Sequence, residues 1–247
     1  MNSVLQNGRD ILKEDGLKEF TLRSINFIYS RTISPLLPRR TIQYNGVDVP
    51  AIQLFDKVLP WRNSRNRPNY ESGLVSGIEQ HIEAGMDVII VGGGWGVTAV
   101  EAARQVGEQG SVTVYEGAEK EVRQVRNTAE LNGCSDIVDV RHAIVGSGLN
   151  LRGDRGDANL IPPEELPRCD VLELDCEGAE IGILQNLSYS PPTILLETHG
   201  IYDASTERVQ DLLESLQYSV ISNVIADKDL LDKCIENDIR VLTAVQE

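Results

Sequence analysis

The residues best suited to holding a ligand are a glycine-rich turn and one acid that follows it. The turn Gly92–Gly96 (GGGWG) comes directly after the apolar run Asp87–Val91, and Glu116 lies 20 residues beyond Gly96. Glycine allows a tight turn and a close approach by a ligand. An acid at this spacing can accept hydrogen bonds from a ribose diol. The pair therefore predicts an adenosine nucleoside site, in which peptide N–H groups at the start of the next helix are free for an anionic group.

The glycine turn can be aligned in two registers, which predict different cofactors. Gly94 to Ala99 matches the GxGxxA fingerprint of dinucleotide-binding proteins. The register Gly92-x-Gly94-x-Gly96 is typical of enzymes that use S-adenosylmethionine (SAM), and we favour it because the first register would place Gly96 inside the helix. An NAD-dependent oxidoreductase and a non-catalytic nucleoside-binding scaffold stay open as alternatives, although the chain has no Tyr-x-x-x-Lys hydride-site motif.

A second group of reactive side chains follows the apolar runs further along the chain. Asp175 and Glu177 come at the end of one predicted strand, and His199 follows the next. A carboxylate or a histidine can take a proton from a hydroxyl at neutral pH. Alternatively, Asp175 and Glu177 only cap the helix predicted from residue 178. Three carboxylates can hold a divalent metal, but without a histidine-rich cluster we predict no metal.

The elements that must position these residues alternate between strand and helix from residue 70 onward. Strands are predicted over 87–91, 111–115, 136–145, 170–175, 193–198, 217–224 and 239–245, and helices over 70–84, 97–107, 119–131, 178–187, 205–216 and 227–236. This alternation predicts an α/β fold, a doubly wound, mostly parallel seven-stranded sheet. We assign residues 69–247 to this cofactor-binding domain. Residues 1–68 are assigned to an extension with two helices and a hairpin that turns at Asn45-Gly46.

The charge of the chain is strongly acidic and unevenly distributed. Its net charge is −15, which predicts a poor partner for nucleic acid and is also typical of salt-loving organisms. Residues 17–67 nevertheless carry nine basic and three acidic side chains. This basic segment suits an anionic small-molecule or glycan acceptor, peripheral contact with a membrane surface, or pairing with the acids of the body.

No apolar run reaches the ~20 residues of a membrane span, and no signal peptide is recognisable. We expect a cytoplasmic protein, at the inner membrane surface if the basic segment binds there; the sequence leaves its oligomeric state open.

The stretch Asp170–Glu180 resembles FkbM-type methyltransferases, whose fourth core strand typically ends in Asp-x-Glu-Gly-x-Glu. Further segments resemble the family in the same order, namely Tyr70-Glu71, Asn127–Gly133, Arg141–Ile144 and Leu195–His199. The resemblance covers about residues 70–200. One departure concerns Ile90, where the family usually has an acid that helps to hold the cofactor. Backbone carbonyls, water and the Glu71 side chain are the groups we expect to be able to replace that acid.

The resemblance implies a class I SAM-dependent methyltransferase of the Rossmann-like fold. Its acceptor would be a hydroxyl or carboxyl of a sugar, glycolipid or related metabolite. The residues expected to bind the cofactor are Glu71, Gly92, Gly94, Trp95, Gly96, Glu116, Gly117, His142, Ala143 and Asp175. In catalysis, Asp175 or His199 is expected to act as the base, and Glu177 to orient the acceptor.

Overall fold

The computed structural model describes residues 39–53, 66–146 and 154–246 of the chain. Both helices predicted before residue 35 and most of the linker predicted over 60–69 lie outside these ranges. The backbone forms two compact units, of which the larger contains Gln43–Val49 and the chain from Asn66 onward. The domain boundary predicted between residues 68 and 69 stays a prediction. Among the described residues, no helix is both long and apolar enough to cross a bilayer.

A mostly parallel sheet forms the centre of the larger unit, as predicted. The strands are β1 (Arg39–Tyr44), β2 (Val47–Gln53), β3 (Asp87–Val91), β4 (Ser111–Glu116), β5 (Val138–Val145), β6 (Asn159–Ile161), β7 (Val171–Leu174), β8 (Thr193–Glu197), β9 (Tyr218–Ile225) and β10 (Arg240–Gln246). In the described residues the central sheet has eight strands in the order β6-β5-β4-β3-β7-β8-β10-β9. Strand β10 is antiparallel to both of its neighbours, and the other pairs are parallel.

The sheet has one more strand than the seven predicted. Strand β6 adds to the edge of the sheet by pairing with β5 over only three residues. Its sequence, Asn159–Ile161, is too short for an alternating pattern, and Leu160 is exposed. Pairing with β5 rather than burial of an apolar face therefore makes this segment a strand, and the sequence pattern does not reveal it.

Helices cover both faces of the sheet, which confirms the doubly wound arrangement. They are α1 (Ser72–His81), α2 (Val97–Val106), α3 (Glu119–Leu131), α4 (Glu180–Asn186), α5 (Thr206–Ser215) and α6 (Leu231–Glu236). On one face, α4 and α5 bury Ile183 and Leu213 against the apolar side chains of β7 and β8. Helix α1 covers the other face, where Gly77 lies against Leu195. Neighbouring residues of a strand point to opposite faces, so both sides of β8 are buried.

The small hairpin is confirmed at the predicted turn. Asn45 and Gly46 both have positive φ, 47° and 77°, as a type I′ turn between two strands requires. The hairpin tip is tied to the end of α3, because the Asn132 side chain accepts from the Asp48 N–H (3.2 Å) and donates to the Asp48 carbonyl (2.8 Å). Tyr44 packs against Tyr70 and against the edge of Trp95. These contacts hold the hairpin tip beside the glycine turn.

Candidate active site

A cavity of about 300 Å³ opens at the carboxyl ends of β3, β4, β5 and β7. Ligands bind at this edge in open α/β sheets, where the strand order reverses. Nine predicted site residues line the cavity: Glu71, Gly92, Gly94, Trp95, Glu116, Gly117, Ala143, Asp175 and Glu177. Gly96, His142 and His199 do not, and each of them acts through a neighbour.

Two glycines of the turn are required by their surroundings. Gly92 has φ 100°, and a Cβ there would lie 1.9 Å from the Asp175 carbonyl oxygen. Gly96 has φ 78°, and its Cβ would lie 3.0 Å from the Cα of Val125. Gly96 thus serves the packing of α3 against the turn, and it does not line the cavity. It directly precedes α2, so the whole glycine turn lies outside the helix.

Glu116 closes the glycine turn through its carboxylate. One oxygen accepts the N–H groups of Gly93 (2.8 Å) and Gly94 (3.3 Å), and the other accepts the N–H of Ala118 (2.8 Å). The expectation that the N–H groups of the turn are free for an anionic ligand is therefore wrong for Gly93 and Gly94. A carboxylate offers about four acceptor sites. At least one of them remains for a donor in the cavity, which Glu116 lines.

His142 has a different place from the one expected. The imidazole Nε2 lies 3.2 Å from the Gly117 carbonyl oxygen, a hydrogen bond that fixes the turn after β4. The next three residues of β5, Ala143 to Val145, line the cavity instead. His142 therefore supports the cavity wall from behind. Ala143 lines the cavity, and its contact with a cofactor stays a prediction.

Two acidic side chains, Glu71 and Asp175, line the cavity close enough for their charges to interact. Burial and the negative charge of Asp175 raise the pKa of Glu71 well above its ordinary value. Glu71 also sits in the left-handed region, with φ 48°, immediately before α1. Its carboxylate reaches the turn, since a Cβ on Gly94 would lie 3.7 Å from Glu71 Oε1. Such a pair is stabilised by a positively charged ligand group.

The missing acid at Ile90 does not leave a gap in the cavity. Ile90 is fully buried in the sheet, and the cavity is lined instead by the next residue, Val91. The register partner of Ile90 in β7 is Glu173. Burial raises the pKa of Glu173 to about 8. Acid is thus present beside position 90, on the neighbouring strand, while Glu71 faces the cavity from the start of α1.

Behind Asp175 lies a buried group of polar side chains at the ends of β7 and β8. His199 is 3% exposed, and its Nδ1 lies 2.9 Å from Oε1 of Glu180, which is fully buried. Its Nε2 lies 3.4 Å from Asp175 Oδ1 and 3.5 Å from Glu197 Oε1. Burial alone would lower the pKa of His199, but Glu180 and Asp175 together raise it above its ordinary value.

Neither Asp175 nor Glu177 is the N-cap residue of the following helix. Helix α4 begins at Glu180, and its N-cap residue, Ala179, offers no side chain for capping. Glu180 instead accepts the N–H groups of Cys176 (3.2 Å) and Gly178 (2.7 Å). Glu180 therefore fixes the loop through these two hydrogen bonds, and Asp175 and Glu177 line the cavity.

The charged side chains that line the cavity are mostly acidic. Its charged lining residues in the described part of the chain are Glu71, Glu116, Glu121, Asp175, Glu177 and Lys120. Sequence reasoning missed Tyr70, Val91, Tyr115, Lys120, Glu121, Gln124, Ile144, Val145, Cys176 and Ala179. Most of these residues are of types that do not indicate a functional role by themselves. The sequence could have suggested them only because they lie next to predicted residues.

Comparisons with known proteins add the following findings. No family model and no curated protein matches the sequence. Among solved structures, ribosomal protein L11 methylase from Lactobacillus delbrueckii subsp. bulgaricus superimposes with a TM-score of 0.49 at 14% identity, covering 72% of this chain and 78% of that chain. Fibrillarin from Aeropyrum pernix, solved with natively bound S-adenosyl-L-methionine, gives 0.48 at 14%, covering 84% and 82%. Fibrillarin from Methanococcus jannaschii gives 0.48 at 15%, covering 68% and 69%. Similarity at this level does not identify a reaction, so a function must be derived from the site.

Proposed function

We propose that this chain is a SAM-dependent methyltransferase that methylates a hydroxyl or carboxyl group. The observation that carries the proposal is the acidic cavity beside the glycine turn, which is lined by both Glu71 and Asp175. SAM carries a positively charged sulfonium at its reacting centre and a positively charged α-ammonium group at its amino-acid end. Burial strengthens their attraction to the two carboxylates, because screening by solvent is weak there.

The same observation disfavours a dinucleotide cofactor. The pyrophosphate of NAD is normally bound by free N–H groups at a helix N-terminus. Here Glu116 occupies the N–H groups of Gly93 and Gly94, and the described cavity lining has five carboxylates against one lysine. A pyrophosphate would meet repulsion where SAM meets attraction.

The residues divide the work of binding between the two ends of the cofactor. Glu116 would accept from the ribose diol, and Glu71 would hold the amino-acid end that Ile90 does not reach. When bound, SAM would supply the methyl group on its sulfur, and the sulfur would become a neutral thioether. Asp175 and Glu177 then line the place where the acceptor must lie. The acceptor oxygen would bond to the methyl carbon as the carbon–sulfur bond breaks, and Asp175 or, behind it, His199 would take the hydroxyl proton.

Calorimetry with S-adenosylhomocysteine (SAH) and with NAD⁺ tests this proposal directly. We expect SAH to bind and NAD⁺ not to bind. Glu71→Gln should weaken SAH by about tenfold, because a charge-assisted hydrogen bond is lost. The control Glu79→Gln, an exposed acid two turns along α1, should leave the affinity unchanged. Binding of NAD⁺ in preference to SAH would overturn the proposal.

The acceptor class rests on the resemblance to FkbM-type enzymes, whose acceptors are sugars, glycolipids and related metabolites. Transfer of labelled methyl from SAM into a cell extract should yield a product that fractionates with glycans or small metabolites. Charge reversal at Arg39, Arg40, Arg62 and Arg65 tests whether the acceptor is anionic, since unchanged acceptor affinity would contradict that idea. Binding of SAH without transfer to any fraction would favour a non-catalytic scaffold.

A further inference from the structure

Three side chains from two neighbouring strand ends converge behind the cavity. Asp175 follows β7, Glu197 ends β8 and His199 lies two residues later. One donor atom from each lies within 4.8 Å of the others. They are 26%, 13% and 3% exposed, so solvent screens their charges poorly. We predicted no metal because the sequence lacks a histidine-rich motif. The fold nevertheless brings Asp175 together with Glu197 and His199, which lie 22 and 24 positions further along the chain.

The orientation of His199 is an independent sign of a ligand. Glu180 already accepts two backbone N–H groups, so it acts as the acceptor for His199 and assigns the ring proton to Nδ1. The lone pair of a neutral ring is then on Nε2, which makes no hydrogen bond with a described residue. It is nonetheless directed at oxygens of Asp175 and Glu197. A carboxylate bound to the far nitrogen is the usual way in which a metal-ligating histidine is oriented.

The spacing of His199 Nε2 from each of the two carboxylate oxygens fits one small cation. Ligands about 2.1 Å from a metal and at a tetrahedral angle lie about 3.4 Å apart. The distances from His199 Nε2 to Asp175 Oδ1 and Glu197 Oε1 are 3.4 Å and 3.5 Å. Two carboxylate oxygens and one imidazole suit Mn²⁺ or Zn²⁺, whereas Ca²⁺ takes oxygen ligands in larger number.

We propose that Asp175, Glu197 and His199 bind one divalent cation of the Mn²⁺ class, with Glu180 as the positioning residue of the histidine. The role of the cation rests on the proposed function. Asp175 also lines the cavity, so a cation here would hold the acceptor hydroxyl and lower its pKa. Asp175 and His199, the bases of the proposed function, would then be ligands of the cation. On methyl transfer the oxygen would gain the methyl carbon, the thioether would leave, and the hydroxyl proton would pass to the Glu177 carboxylate instead.

Binding of Mn²⁺ to EDTA-treated, dialysed protein tests the site without any assay of activity. Electron paramagnetic resonance and calorimetry should show one Mn²⁺ per chain, displaced by Zn²⁺. Asp175→Asn, Glu197→Gln and His199→Gln should each weaken Mn²⁺ at least tenfold. The control Asp203→Asn removes an exposed carboxylate four residues from His199 and should leave the affinity unchanged.

Glu180→Gln keeps all three ligands and tests the positioning role separately. It should weaken Mn²⁺ by about 10- to 100-fold, as loss of the group that orients a ligand typically does. Circular dichroism of each variant establishes that it is folded. Unchanged Mn²⁺ affinity in the folded Glu180→Gln and Glu197→Gln variants would overturn the site.

The failure of the metal site can be told apart from the failure of the proposed function. Absence of Mn²⁺ and Zn²⁺ binding, with normal SAH binding in EDTA, overturns the cation site and leaves the methyltransferase. It would mean that a proton on Nε2 satisfies the two carboxylates instead. One bound Mn²⁺ without SAH binding supports the site and overturns its role in methyl transfer.

Discussion

At the scale of single residues, Glu116 combines a structural and a binding role in one carboxylate. Its three N–H partners belong to the turn after β3 and the turn after β4, so it joins two loops that the sequence separates by more than 20 residues. Glu116 is 6% exposed, and little solvent is available to replace these hydrogen bonds. Binding and stability should therefore respond together to its substitution.

We predict that Glu116→Gln lowers both stability and SAH affinity. An amide can accept at only one end, so it places its NH₂ group against a backbone N–H. The free energy of unfolding should fall by about 1–3 kcal/mol. Urea unfolding and calorimetry measure the two effects. Glu130→Gln, an exposed acid on α3, is the control and should change neither. An unchanged SAH affinity in Glu116→Gln would remove this residue from the cofactor site.

Glu173 is a buried acid that, among the described residues, lacks backbone N–H partners of the kind that Glu116 has. Its substitution by glutamine should therefore raise the stability rather than lower it. Burial raises its pKa to about 8, so between the ordinary value near 4.5 and about 8 the folded protein holds a proton that the unfolded chain has lost. Stability should then decrease as the pH rises through this window, by about 1.4 kcal/mol per pH unit for one proton.

We therefore predict that Glu173→Gln stabilises the protein at pH 8 and flattens this dependence. Unfolding in urea from pH 5 to pH 8, with EDTA present, measures the effect. Glu108→Gln, which replaces an exposed acid, should keep the wild-type slope. Equal slopes in wild type and Glu173→Gln would show that Glu173 ionises normally in the folded state.

At the scale of elements, the site depends on the close approach of the segments that follow β3 and β7. Gly92 follows β3 and lies against the Asp175 backbone that follows β7. We predict that Gly92→Ala costs about 3 kcal/mol of unfolding free energy, because its Cβ meets a backbone oxygen and its φ disfavours a side chain. Gly182→Ala is the matched control.

Gly182 lies inside α4 with open space around its Cα, so alanine there should stabilise by about 0.5–1 kcal/mol. Thermal unfolding of the two alanine variants gives the comparison. A Gly92→Ala protein as stable as wild type would mean that the two strand ends can separate at little cost.

Local sequence patterns predict the elements better than they predict the site. The apolar run of β3 and the Asn45-Gly46 turn each contain their own signal, and both predictions are confirmed. Strand β6 has no such signal because pairing alone defines it. The contact of Glu180 with His199 joins α4 to the loop after β8, so only the assembled sheet shows it. The same is true of Glu197, an ordinary strand residue in the sequence.

At the scale of the whole molecule, polar groups join the hairpin tip to the end of α3 within the larger unit. Asn132 bonds to both backbone groups of Asp48, and it also accepts from Arg104 (3.2 Å). Arg67 extends the attachment, since it lies over the Tyr70 ring and pairs with Asp227 at 2.5 Å. Because Tyr44 touches Trp95, the hairpin tip forms part of the surroundings of the cavity.

We predict that Asn132→Ala loosens this attachment. Hydrogen exchange at the Asp48 amide should accelerate, and the free energy of unfolding should fall by about 1–3 kcal/mol. Exchange measured by nuclear magnetic resonance resolves this single amide. Asn127→Ala changes an exposed asparagine of the same helix and should have no effect. An Asp48 amide that stays protected in Asn132→Ala would mean that β1 and β2 hold the hairpin without help.

The direction of β10 has a practical consequence. Because it runs against β8, Val245 pairs with Thr193 and Gln246 with Tyr218, at the amino ends of the neighbouring strands. The backbone therefore leaves the sheet at the rim opposite the ligand entrance. A biotin tag attached beyond Gln246 should hold the protein on a sensor surface with its entrance toward the flowing solution, so that immobilised protein and free protein bind SAH equally well.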